Sequence, residues 1–126
     1  MTWDYEPDEN LKRKHGWGKK HPGFINRNGH KIGKCPSDLG ISQAKALVNS
    51  GIEWSPEGWP RDYPKRIYVV RNGWVYRATP TIPGRSYHGF PEIRSRLPND
   101  RDLHQELLQR ARDKNCAKEI ERWLSS

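Results

Sequence analysis

The chain has 126 residues, a length that fits one domain of roughly 100–150 residues and is too short for two independent cores. Lysine and arginine total 23 against 15 acidic residues, giving a net charge of +8. No apolar leader and no stretch near the ~20 apolar residues that span a bilayer are present, and the chain is predicted to be cytoplasmic. A membrane partner is not expected, because no basic stretch has the apolar face of an interfacial helix. Two isolated cysteines, Cys35 and Cys116, suit that reducing compartment.

The N-terminal residues 1–23 are predicted to form an irregular arm, because prolines and glycines interrupt any periodic pattern. Residues 24–126 then form a single α+β domain. Its first element is a hairpin about Asn28-Gly29, since both residues tolerate the positive φ of a type I′ turn. A short helix over residues 43–50 follows, with Ser42 as its N-cap.

A second hairpin is predicted over residues 67–78, with Asn72-Gly73 as its two-residue turn. Alternation along its strands separates two faces. The face expected to pack on the core carries Ile67, Val69, Trp74, Tyr76 and Ala78. The opposite face, which is mixed, basic and aromatic, carries Arg66, Tyr68, Val70, Val75 and Arg77.

The C-terminal third is predicted to be a loop over residues 79–98 followed by two helical pieces. Asn99 is the expected N-cap, and Asn115 is the expected break between the pieces. Apolar residues recur at helical spacing at Leu103, Leu107, Leu108, Ala111, Cys116, Ile120, Trp123 and Leu124. The predicted fold is therefore α+β, with a small antiparallel sheet built from the two Asn-Gly hairpins and packed against a short helix and a C-terminal helix pair.

The positive charge is concentrated in two segments. Residues 11–34 carry a net charge of +8 and residues 61–96 carry +6, whereas residues 1–10 carry −4 and residues 97–126 are neutral. Separated basic segments with interleaved aromatic residues are typical of proteins that bind phosphate backbones. The pattern predicts a nucleic-acid partner, with RNA favoured over DNA, and leaves an acidic protein as an alternative partner.

The mixed face of the second hairpin is the predicted binding surface. A cation beside an aromatic ring on a strand can bind a base and its phosphate, although an ordinary solvated sheet face has the same composition. The predicted nucleic-acid contacts are Lys65, Arg66, Tyr68, Arg77, Lys19, Lys20 and Lys31.

The predicted loop contains the best catalytic candidates, in the segment over residues 83–91. His88 can act as a general base or acid, because its ordinary pKa of about 6.5 lies near working pH. Arg85 or Arg77 can stabilise charge on a reacting phosphate, and Tyr87 or Tyr76 can stack on a base. The alternative is a structural loop that Tyr87 and Phe90 anchor to the core.

No metal or cofactor is predicted. His15, His21, His30 and Cys35 match no standard zinc spacing. Asp62 and Glu92 stand alone in the basic segment, so the paired carboxylates of a two-metal site are missing there.

The stretch from Tyr63 to Trp123 resembles the small nuclease domains of bacterial toxins, of the barnase, colicin and RelE-like type. The residues that carry the resemblance are the hairpin Ile-Tyr-x-Val…Val-Tyr-Arg-Ala and the segment Arg85-Ser86-Tyr87-His88-Gly89-Phe90-Pro91. The resemblance implies metal-independent RNA cleavage. Two other functions stay open on the residues alone, namely a non-catalytic nucleic-acid-binding module and a protein-interaction module that meets an acidic partner.

Overall fold

The computed structural model describes residues 2–6, 21–36 and 39–126. The helices in those ranges are α1 (Ile41–Asn49), α2 (Arg101–Asp113) and α3 (Ala117–Leu124), with a 3₁₀ turn at Arg94–Arg96. The strands are β1 (Asp4–Tyr5), β2 (Gly23–Arg27), β3 (His30–Lys34), β4 (Ile52–Trp54), β5 (Arg66–Arg71), β6 (Trp74–Ile82) and β7 (Ser86–Pro91). The predicted α+β class is confirmed.

The strands form two sheets. A five-stranded sheet has the order β1-β7-β6-β5-β4, and β2 and β3 form a separate two-stranded sheet. The main sheet is mixed, because β1 runs parallel to β7. The prediction of one sheet built from both hairpins is wrong, because the first hairpin, β2–β3, forms a sheet of its own. The β2–β3 pair instead packs beside β7 at Gly33, where an added Cβ would lie 3.1 Å from Pro91.

Strands β5 and β6 are joined at Asn72 and Gly73, which have φ angles of 51° and 80°, and Arg71 pairs with Trp74 across that turn. Strand β6 continues to Ile82 and β7 follows from Ser86, so the prediction of a loop over residues 79–98 is wrong for most of its first half. The sheet tolerates Pro80 because this residue lies past the last pair with β5, next to a register shift with β7.

The C-terminal helices cover the face of the sheet that was predicted to be the exposed binding surface. Tyr68, Val70 and Val75 are buried there, against residues of α2 and α3 that include Leu107 and Ile120. Alternation could not identify this face as covered, because β5 is apolar on both sides. A strand with helices over both faces reads as a nearly continuous apolar run.

The opposite face is covered by α1 and the N-terminal residues. Ala44 and Val48 of α1 pack with Trp3, Ile67 and other buried residues of the sheet. Residues 2–6 thus differ from the predicted irregular arm. Asp4–Tyr5 pairs with β7, and the side chains of Trp3 and Tyr5 are buried. The rest of that arm up to residue 20 lies outside the described residues.

The helix ends differ from the sequence prediction by one or two positions. Helix α1 begins at Ile41 after Gly40, with no side-chain cap from Ser42. Asp100, not Asn99, caps α2 by accepting from the backbone N–H groups of Asp102 and Leu103. None of the described helices has the length and apolar character needed to cross a membrane.

Candidate nucleic-acid interface

An open cleft lies on the half of the sheet that α2 and α3 leave uncovered. Cross-strand pairing places Tyr68 opposite Arg77, and Arg77 opposite Phe90. Because paired residues share a face, one continuous surface runs from the buried Tyr68 to the cleft. The helices cover one half of this surface, and the other half is open to solvent.

The cleft has a volume of about 550 Å³. This lies within the range of small-molecule sites. The cleft is lined by the segment before β5, by strands β5, β6 and β7, and by the turn between β6 and β7. The lining residues are Trp59, Tyr63, Lys65, Arg66, Arg77, Thr79, Pro80, Pro83, His88 and Phe90.

Two of the three cations of the cleft lie near an aromatic ring that also lines it. The Arg77 guanidinium carbon is 4.8 Å from the Phe90 ring centroid, and Lys65 Nζ is 5.7 Å from that of Trp59. Trp59 is itself fixed, since its indole N–H donates to the Tyr63 carbonyl at 2.7 Å. The cleft therefore presents positive charge and half-buried ring surface side by side, as proteins that bind single-stranded nucleic acid do.

A buried carboxylate lies beneath the cations. Glu92 is 2% exposed, and its Oε2 is 3.6 Å from Arg77 Nε and 3.4 Å from the Tyr68 hydroxyl. Burial lowers the pKa of Arg77 from its ordinary value, Glu92 opposes that shift, and Arg66 adds to it. An anion bound in the cleft would favour the charged guanidinium in the same way as Glu92 does.

Two threonine hydroxyls hold the His88 ring. The Thr81 hydroxyl donates to the Glu6 carbonyl at 2.5 Å, so its oxygen accepts from His88 Nδ1–H at 2.6 Å. In the neutral ring Nε2 is then the acceptor, with the Thr79 hydroxyl as donor at 2.9 Å. The network thus places the ring proton on Nδ1. The basic nitrogen, Nε2, faces Thr79, which lines the cleft.

Of the three predicted catalytic residues, His88 alone lines the cleft. Arg85 is an exposed turn residue whose backbone N–H donates to Ile82 and whose carbonyl accepts from Asp4. Tyr87 points to the opposite face, where it is 0% exposed and its hydroxyl donates to the Pro64 carbonyl. Burial raises the pKa of Tyr87 above its ordinary value. Its predicted stacking role is therefore wrong.

The predicted binding residues divide in a similar way. Lys65, Arg66 and Arg77 all line the cleft. Tyr68 does not, since α2 and α3 leave it 0% exposed and unable to stack on a base.

The predicted contacts from the first basic segment lie away from the cleft or cannot be placed. Lys31 is exposed on the separate β2–β3 sheet, 4.6 Å above the Phe24 ring. Lys19 and Lys20 lie outside the described residues.

Several residues that line the cleft or hold His88 were not identified from the sequence. Trp59 and Tyr63 read as loop residues, and Thr79 and Thr81 read as the start of an irregular segment. The available signal was the spacing Thr-x-Thr, which puts two hydroxyls on one face of a strand and within reach of a histidine on the next strand.

Among the described residues, no group of three or more histidine, cysteine or acidic side chains is arranged to hold a metal ion. Comparison with known proteins finds no family model, no curated protein and no solved structure that matches the chain.

Proposed function

We propose that the cleft binds single-stranded RNA. The observation that carries the proposal is the meeting of Lys65, Arg66 and Arg77 with half-buried aromatic rings in one opening. The guanidinium groups match the geometry of a phosphate, and rings such as Trp59 and Phe90 offer stacking surface for a base. Three of the eight basic residues in 61–96 thus lie together at the open half of the sheet.

Single strands are favoured over duplexes because the rings that line the cleft, Trp59 and Phe90 among them, are half-buried. Bases of a duplex are stacked on one another, and only an unpaired base can turn into such a cleft. RNA is favoured over DNA because Thr79 and His88 place a hydroxyl and an imidazole at the same opening. The Thr79 oxygen, which donates its proton to His88, can accept from a 2′-hydroxyl, the group that distinguishes the two nucleic acids.

The arrangement of His88 supports a second step, in which the bound RNA is cleaved without a metal ion. A bound 2′-hydroxyl would replace the Thr79 hydroxyl as the donor to His88 Nε2, which would then accept its proton. The 2′ oxygen would then form a bond to the adjacent phosphorus. The bond from phosphorus to the 5′ oxygen breaks, giving a 2′,3′-cyclic phosphate and a 5′-hydroxyl that takes a proton from solvent. Arg66 and Arg77 would stabilise the charge on the phosphate oxygens.

The test of binding is a comparison of a labelled RNA strand of about ten nucleotides with its duplex. We expect the single strand to bind more tightly than the duplex. Affinity should fall as salt rises from about 50 to 200 mM, with a log–log slope near −2 if three cations each contact a phosphate. Equal affinity for strand and duplex, or an affinity that ignores salt, would contradict the proposal.

A further inference from the structure

Glu92 lies beneath the cleft at a position where a carboxylate is costly. It is 2% exposed, and burying an ionised carboxylate requires compensation by an opposite charge and hydrogen bonds. One oxygen accepts from the backbone N–H of Ile93 at 2.9 Å. The other faces Arg77 Nε at 3.6 Å and the hydroxyl of Tyr68 at 3.4 Å.

The same carboxylate is linked to the second guanidinium through Tyr68. The Arg66 Nη1 donates to the Tyr68 hydroxyl at 3.0 Å, and that hydroxyl donates to Glu92. Burial raises the pKa of Tyr68 to about 12, so the phenol keeps its proton for this bond at neutral pH. Arg66 is held at a further point by the carbonyl of Arg96, at 3.3 Å.

We propose that Glu92 is a positioning residue that fixes Arg66 and Arg77 relative to each other, so that both guanidinium groups bind one phosphodiester. The inference rests on the proposed function of the cleft. Arginine side chains are flexible, and a pair that is held in place loses less conformational entropy when it binds a ligand. The buried Glu92–Tyr68 pair thus gives the two guanidinium groups a defined geometry in the cleft, where the Arg77 side chain is 12% exposed.

Removing the charge of Glu92 distinguishes a positioning role from a general effect of charge on polyanion binding. Replacing the carboxylate with an amide makes the cleft more positive, so attraction between charges alone predicts tighter binding of any polyanion. Loss of the fixed geometry predicts weaker binding of RNA. The two accounts therefore differ in the sign of the effect.

The experiment compares Glu92→Gln and Tyr68→Phe with the wild-type protein. Glu106→Gln is the matched control, because it removes the same charge from an exposed site on α2. Affinity is measured for single-stranded RNA and for heparin, a sulfated polysaccharide with comparable charge and no phosphodiester. Both cleft variants should bind RNA about tenfold more weakly, since each removes a hydrogen-bonding group from a charged network. Heparin should bind them as tightly as wild type or more tightly.

RNA binding by Glu92→Gln that equals or exceeds that of wild type would overturn the positioning role. Thermal unfolding reports whether each variant is folded. If Glu92→Gln does not fold, Tyr68→Phe decides, because it keeps every charge and loses a single hydroxyl; unchanged RNA affinity in that variant would overturn the inference. Wild-type protein that does not bind RNA overturns the proposed function and this inference together, whereas wild type that binds alongside unaffected variants overturns the positioning role alone.

Discussion

Replacement of His88 by alanine should lower the rate of RNA cleavage by about 10²–10⁴-fold, the usual contribution of a general base. The remaining cations should still bind RNA, because Lys65, Arg66 and Arg77 are unchanged.

The measurement follows a labelled RNA in excess chelator and identifies the 2′,3′-cyclic phosphate end of the product. His30→Ala is the matched control, because His30 is exposed on the β2–β3 sheet and does not line the cleft. Intact RNA with the wild-type protein, or equal cleavage by His88→Ala, would contradict the catalytic step. Binding without cleavage would leave the cleft as a non-catalytic RNA site.

Replacement of Arg77 by glutamine should weaken RNA binding by ten- to a hundredfold, because a charge-assisted contact to phosphate contributes roughly 1.5–3 kcal/mol. The salt slope should also become shallower by about 0.7, the value expected for one lost contact to a single strand. Arg112→Gln is the matched control, since it removes the same charge from the exposed surface of α2. Affinity for a labelled strand at several salt concentrations tests both quantities.

Arg77 also compensates the buried Glu92, so its loss leaves a carboxylate without an opposite charge and lowers stability. Lys65→Gln separates the two effects, because Lys65 lines the cleft beside Trp59, whereas Arg77 makes the ion pair with Glu92. It should weaken binding while thermal unfolding stays as in wild type. Full RNA affinity in both variants would show that RNA binds elsewhere on the protein.

The fold class could be predicted because the helical pattern is local. The apolar spacing of Leu103, Leu107 and Ile120 specifies which side of each C-terminal helix is buried, and those residues are buried in the structure. The sequence could not specify which face of the sheet these helices would cover. Both faces of β5 are apolar, and the choice depends on how the chain is routed after β7.

The site could be predicted only in part for a related reason. Prolines and glycines between residues 79 and 91 are typical of a loop, and that interpretation hid the pairing of Thr79 with His88. Once β7 is recognised as a strand, register alone places His88 beside Arg77 and the threonines. Trp59 and Tyr63 come from a distant loop, and only tertiary packing brings them to the cleft.

Photocrosslinking locates bound RNA on the protein, and we expect it in the cleft between Trp59 and Phe90. A single-stranded RNA that carries 4-thiouridine is irradiated with the wild-type protein, and the modified peptides are identified by mass spectrometry. We predict crosslinks to Trp59, Tyr63 or Phe90, and their loss when unlabelled single strand competes. Crosslinks confined to the β2–β3 sheet or to the exposed surface of α2 would contradict the account.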